Sequence, residues 1–134
     1  MKELRCLAFS EQEVAAAIIE RRKKLREPLP DGPIQKVTYG IDNGVTVTIR
    51  STNSSGAERT IVIPESEASA ALVGYCMSRG IPMPAVADKY LHVVNEGLTL
   101  IITVQFNKAH RGTYAGIEDA ITPATGFGGK TRAL

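Results

Sequence analysis

The chain has no tryptophan, three phenylalanines, four tyrosines, two cysteines and two histidines. So few aromatics leave little material for the stacking surface on which single-stranded RNA is usually read. The cysteines, Cys6 and Cys76, and the histidines, His92 and His110, are scattered. They give neither a disulfide framework nor the ligand spacing of a zinc site, so no metal and no cofactor is expected. Both cysteines read as small buried hydrophobes, Cys6 in a strand and Cys76 on a helix stripe. No apolar run approaches the length of a membrane span, and Met1 opens no charged-then-apolar leader. The expectation is a cytoplasmic protein without a membrane partner.

Catalytic signatures are also missing. There is no nucleophile elbow and no HExxH. The segment Gly126-Phe127-Gly128-Gly129-Lys130-Thr131 lacks P-loop spacing, since the position five before Gly129 is Ala124 and little chain follows to form the helix. Glu11 with Glu13, and Glu65 with Glu67, look like paired carboxylates. Each pair falls in a first helical turn, where acids cap amides and complement the helix dipole. His92 reads as a hairpin surface residue rather than a lone base. No group of residues assembles a nucleophile, a base and an orienting partner, so the chain is expected not to be an enzyme.

What is present is a repeat. Moving Ser10–Pro30 along by 54 residues lays it on Pro64–Pro84. Glu11 then meets Glu65, Glu13 meets Glu67, Ala16 and Ala17 meet Ala70 and Ala71, and Pro28 and Pro30 meet Pro82 and Pro84. The flanks agree. Arg5-Leu7-Phe9 precedes one stretch and Arg59-Ile61-Ile63 the other, and Gly44-Val45-Thr46-Val47 echoes Gly97-Leu98-Thr99-Leu100. Self-similarity at a fixed period signals a duplicated unit.

In chain order, Lys2–Phe9 alternates as a strand. Ser10 followed by Glu13 is a capping box that opens a helix to about Arg26, with Val14, Ile18 and Leu25 and an intervening Arg21 or Arg22 on its stripe. Pro28, Pro30 and Pro33 around Asp31-Gly32 end it. Asp42-Asn43-Gly44 turns Val37–Ile41 back on Val45–Arg50 as a hairpin. After the polar loop Ser51–Glu58 come a strand Arg59–Ile63, a helix from Pro64 or Ser66, a left-handed stop at Gly80 and a second hairpin, Tyr90–Val94 with Leu98–Phe106.

The expected fold is therefore α+β: two β-α-β-β copies, about 2–50 and 58–106, forming one duplicated domain over 1–106. Its six strands would make one mainly antiparallel sheet with two helices on one face. Residues 107–134 form a Gly-rich C-terminal tail, with 116–121 alone showing helical promise.

Two surfaces stand out for function. Arg21, Arg22, Lys23, Lys24 and Arg26 concentrate positive charge at a helix end, although the whole chain carries only +2. The helix dipole accommodates such charge, and the same run would contact nucleic acid or an acidic partner. In the tail, Lys108, Arg111, Lys130 and Arg132 would help. The second surface is Thr38, Thr46, Thr48, Thr99, Ile101 and Thr103, lining the sheet away from the helices. Threonine suits a pleated surface, and a flat face of this kind suits pairing between subunits. The favoured reading is a non-catalytic protein-interaction or oligomerisation module, a homodimer with a further protein partner. The alternative is a weak, sequence-tolerant nucleic-acid-binding protein using the basic helix end.

Overall fold

A computed structural model describes residues 1–106. The tail with Lys108, His110, Arg111, Lys130 and Arg132 lies outside the described residues. The order is β1 (Lys2–Phe9), α1 (Glu11–Leu25), β2 (Ile34–Ile41), β3 (Val45–Thr52), β4 (Glu58–Ile63), α2 (Glu65–Ser78), β5 (Asp88–Val94) and β6 (Gly97–Gln105). The class is α+β, with six antiparallel strands and two helices among the described residues. The strands do not share one sheet. They are divided into β2-β3-β4 and β1-β6-β5, three strands each. Pairing explains the division: β4 folds back on β3, whereas β1 adds to β6, the first and last of the described strands.

Two compact units are present, and three strands run through both. One gathers Met1–Cys6, Pro82–Tyr90 and 101–106; the other holds Leu7–Ile81 and Leu91–Leu100. In the first, the Phe106 amide donates to Met1 O at 2.8 Å, and Arg5 Nη1 donates to Pro82 O at 3.1 Å. Ile102 is buried there.

The second unit carries both helices and most of the core. In β3, Val45, Val47, Ile49 and Ser51 are buried, while Thr46 and Thr48 between them are half-buried. That is the period of two expected when one sheet face is covered. Register puts Val37, Ile49 and Ile61 in one row and Tyr39, Val47 and Ile63 in the next. Against β2 and β3 lie α1 and α2, which also pack on each other. Val14, Ala15, Ala17 and Ile18 of α1 and Ala68, Ala71, Leu72 and Cys76 of α2 are buried. The stripe on α1 is shorter than expected, because Leu25, in the last turn, is 48% exposed.

Local signals shape the ends. Ser10 Oγ accepts from the Glu13 amide at 3.1 Å and the Ser10 amide donates to Glu13 Oε1 at 2.9 Å, completing the capping box. Both helices stop in the same way, with the left-handed residue followed by a 6→1 bond. In α2 Gly80 (φ +74°) takes that position and the Ile81 amide donates to Cys76 O. In α1 it is Arg26 (φ +57°), and the Glu27 amide donates to Arg22 O. The loop after α1 needs glycine for a different reason. Gly32 (φ +89°) lies so close to β3 that a Cβ built on it would sit 2.1 Å from Thr52 O.

Ser51 is 1% exposed, and among the described residues its hydroxyl has no partner. An unpaired buried hydroxyl costs about 1–3 kcal/mol of desolvation. Ser51→Ala is therefore expected to raise the melting temperature, worth about 1 kcal/mol after the small loss of packing. A clear fall on thermal unfolding would refute the account.

Candidate functional site

The basic run divides by role once its side chains are placed. Arg22 lies one turn beyond the buried Ile18 and faces α2. Its Nε meets Glu67 Oε2 at 2.8 Å and its Nη2 meets Glu67 Oε1 at 3.2 Å, while Nη1 donates to Pro28 O at 2.9 Å. The side chains are 13% and 18% exposed. This is a two-pronged fork between guanidinium and carboxylate, and it ties helix to helix and to the loop that follows. Arg22 is thus committed to the scaffold. Val14, Ile18 and Arg22 recur every fourth residue, which is the sequence signal for an arginine on the packed side.

Arg21 is half-buried, with an Nε that has no partner among the described residues. Lys23, Lys24 and Arg26 are exposed, and among the described residues none of them enters an ion pair. Glu20, one turn back, does: Arg79 Nη2 meets its Oε2 at 2.9 Å. The hydrogen bond from Arg79 holds the Glu20 carboxyl below its usual pKa, outweighing slight desolvation, with the charges of Arg79, Lys24 and Lys23 adding to it. Arg79 also lies over the Tyr75 ring, 3.5 Å from its centroid. The open cationic surface therefore reduces to Lys23, Lys24 and Arg26, with Arg21 at its margin.

The two carboxylate pairs separate completely. Glu13 caps its own helix. Glu67 holds Arg22. Glu11 and Glu65, each the first residue of a helix, reach out to strands: the Val37 amide donates to Glu11 Oε2 and the Val45 amide to Glu65 Oε1, both at 2.7 Å. Helix-start carboxylates thereby anchor α1 to β2 and α2 to β3. Lys36 lies 4.0 Å from Glu11. Gly44 (φ +106°) leaves room for Glu65, whose Oε1 would be 2.7 Å from a Cβ there. Sequence position in the first turn foretold the Glu13 cap, while α2 opens without a side-chain cap; the strand partners, 26 and 20 residues away, left no local trace.

Tyr39 has a buried hydroxyl with no partner among the described residues. Burial raises its pKa above the ordinary phenol value, and the Glu11 charge adds to that. A folded-state pKa above the unfolded one gives stability that is complete below the unfolded value and lost as pH rises through the folded one. Stability should thus decline in the alkaline range as Tyr39 ionises. Tyr39→Phe is expected to remove that part of the decline and to leave neutral-pH stability equal or higher; denaturant unfolding at neutral and alkaline pH measures both. An unchanged alkaline slope would exclude Tyr39 as its source.

The threonine surface is also divided. Thr38, Thr46 and Thr48 lie on the open face of β2-β3-β4, with Thr38 and Val62 on either side of Thr48. Thr99, Ile101 and Thr103 lie on β6, in the other sheet, opposite in sense to the buried Leu98, Leu100 and Ile102. The continuous six-residue face expected of a single sheet is replaced by two half-faces, because the hairpins occupy different sheets.

Cys76 is buried as expected, but Cys6 is exposed. Its strand alternates, and with Phe9 buried and Leu7 half-buried, Cys6 falls on the opposite face. His92 is exposed on β5. Among the described residues no group of three His, Cys, Asp or Glu side chains could hold a metal ion, and no helix is long and apolar enough to cross a membrane. The chain matches no protein family, no curated protein and no solved structure.

Proposed function

We propose that the chain is a small, cytoplasmic, non-catalytic interaction module that works through protein surfaces, first as a homodimer and then with a further protein partner. One observation carries this reading. Among the described residues, the large apolar side chains left exposed within strands all lie on edge strands: Leu4 on β1, Ile41 on β2, Val62 on β4, and Tyr90 and Val94 on β5. An edge with apolar side chains and free ladder groups is a template for another strand. The carboxylates, by contrast, are engaged in holding helices to strands and to each other. Light scattering on the full-length protein at micromolar concentration is expected to give a dimer mass; a monomer overturns the proposal.

The same proposal treats the fold as a duplication. Ser10 and Pro64, matched by the 54-residue offset, have N-cap angles of −74°, 163° and −72°, 163°. Arg26 and Gly80, also matched, are the left-handed helix stops.

A second reading, binding of nucleic acid through the basic helix end, draws on Arg26. A non-glycine residue in the left-handed region costs about 1 kcal/mol or more, so an arginine there gives up stability and gains a projecting charge. Arg26→Gly should stabilise the protein by about 1 kcal/mol in urea unfolding. If the reading holds, it should also weaken binding to DNA and RNA. Lys23→Glu with Lys24→Glu should abolish binding that falls with salt, and it spares the structural Arg22. Absence of any binding at low salt leaves the run as a solvated helix end.

A further inference from the structure

Building on the homodimer reading, we propose that β1 pairs antiparallel with β1 of a second copy, about a twofold axis at Leu4. Among the described residues, β1 is one edge of the β1-β6-β5 sheet. Its start is fixed in place, since the Phe106 amide donates to Met1 O. Alternation sends Leu7 and Phe9 inward and leaves Lys2, Leu4, Cys6 and Ala8 exposed, Leu4 at 63%. An apolar residue in the middle of an unpaired edge is a liability unless something covers it.

Charge identifies the occupant. With the axis at Leu4, Glu3 stands opposite the partner's Arg5, Arg5 stands opposite the partner's Glu3, and Leu4 meets the partner's Leu4. Two opposite-charge pairs flank one apolar pair, which is the stabilising arrangement for directly opposed positions on antiparallel strands. Arg5 is already oriented, because Nη1 is held by Pro82 O and the rest of the fork remains for a carboxylate. The other edges do not complement themselves in this way. In β4 both charges, Glu58 and Arg59, sit at one end. In β5 an axis at Leu91 sets Asp88 against the partner's Val94 and Lys89 against the partner's Val93. In β2 the register shifts between Ile34 and Lys36. Pairing at β1 would join two three-stranded sheets into a continuous one across the dimer, with Thr99, Ile101 and Thr103 on the central strand of each half.

The register is tested by cross-linking in the full-length chain. In a Cys6→Ser background, Leu4→Cys places residue 4 opposite itself, within disulfide reach of directly opposed antiparallel positions. It is expected to oxidise to a covalent dimer, whereas Glu3→Cys in the same background stays unlinked. In the wild type Cys6 faces the partner's Lys2, so the native dimer should carry no disulfide. Glu3→Arg should weaken dimerisation about tenfold, and Glu3→Arg with Arg5→Glu should recover most of it, because the swap restores both pairs. Melting curves of each variant check folding: Glu3 and Leu4 are exposed and their substitutions should show no loss, whereas Arg5→Glu gives up the bond to Pro82 O and should show a small one. A dimer by light scattering that Leu4→Cys does not link, or that Glu3→Arg leaves intact, overturns the β1 register while the homodimer stands. A wild-type monomer at micromolar concentration overturns both.

Discussion

Gly32→Ala is expected to be the most damaging small substitution in the chain. The added methyl would lie 2.1 Å from the Thr52 carbonyl oxygen, 3.0 Å from its carbon and 3.1 Å from Asn53 Cα. All three are backbone atoms, so no side chain can swing aside. The residue also sits at φ +89°, outside the regions an alanine tolerates. Relief requires the loop to leave the end of β3, and with it the bond from the Thr52 amide to Pro33 O at 3.2 Å. A loss of about 3–4 kcal/mol follows, a large part of the total for a domain of this size. Thermal unfolding should show the midpoint falling by roughly 10 °C or more. A shift of a degree or two would mean that the loop does not press on β3 as described. Gly56 (φ +87°) supplies a control, because nothing lies within 4 Å of a Cβ there; Gly56→Ala should cost only its backbone conformation.

The second large effect concerns Arg22 and Glu67. Arg22→Met leaves a carboxylate that is 18% exposed without its fork, and removes the donor to Pro28 O. Breaking one side of a mostly buried pair should cost about 2–3 kcal/mol, more than exposed ion pairs contribute and less than fully buried ones. Arg22→Met together with Glu67→Met should recover to within about 1 kcal/mol of wild type, since an apolar contact between α1 and α2 replaces the pair without stranding a charge. Urea unfolding of the two singles and the double completes the cycle. Additive losses would show that the residues do not act on each other. The outcome also bears on function. Loss of nucleic-acid binding in an Arg22 variant would reflect a loosened helix pair, whereas loss in Lys23 and Lys24 variants with unchanged stability would reflect the surface itself.

What could be read from the sequence was what the chain decides locally. The Ser10 capping box, the Asp42-Asn43-Gly44 turn, the Gly80 stop and the alternation in β3 each depend on a few neighbouring residues, and the structure shows each of them. Partner choice is different. Two βαββ segments suggest one sheet, but whether β4 and β1 join their own hairpins or others depends on contacts far apart in the chain. For Arg22 the four-residue spacing from Val14 and Ile18 marks the packed side of the helix, but within a run of five cations it does not name the partner, Glu67, which lies 45 residues away. Cys6 was misplaced for a simpler reason. Two faces of an edge strand look alike until one knows that Phe9 is buried.

The order of the strands also has a consequence in time. β2, β3 and β4 follow one another directly, so their sheet can assemble through short turns. β1 finds β6 only by closing a loop over nearly the whole described chain, from Met1 to Phe106. Closure entropy grows with loop length, and contacts distant in sequence slow the approach to the native state. The meander is thus the natural nucleus and β1 the last strand to arrive. During synthesis β1 emerges before β6 and must wait for it, with Leu4 uncovered throughout.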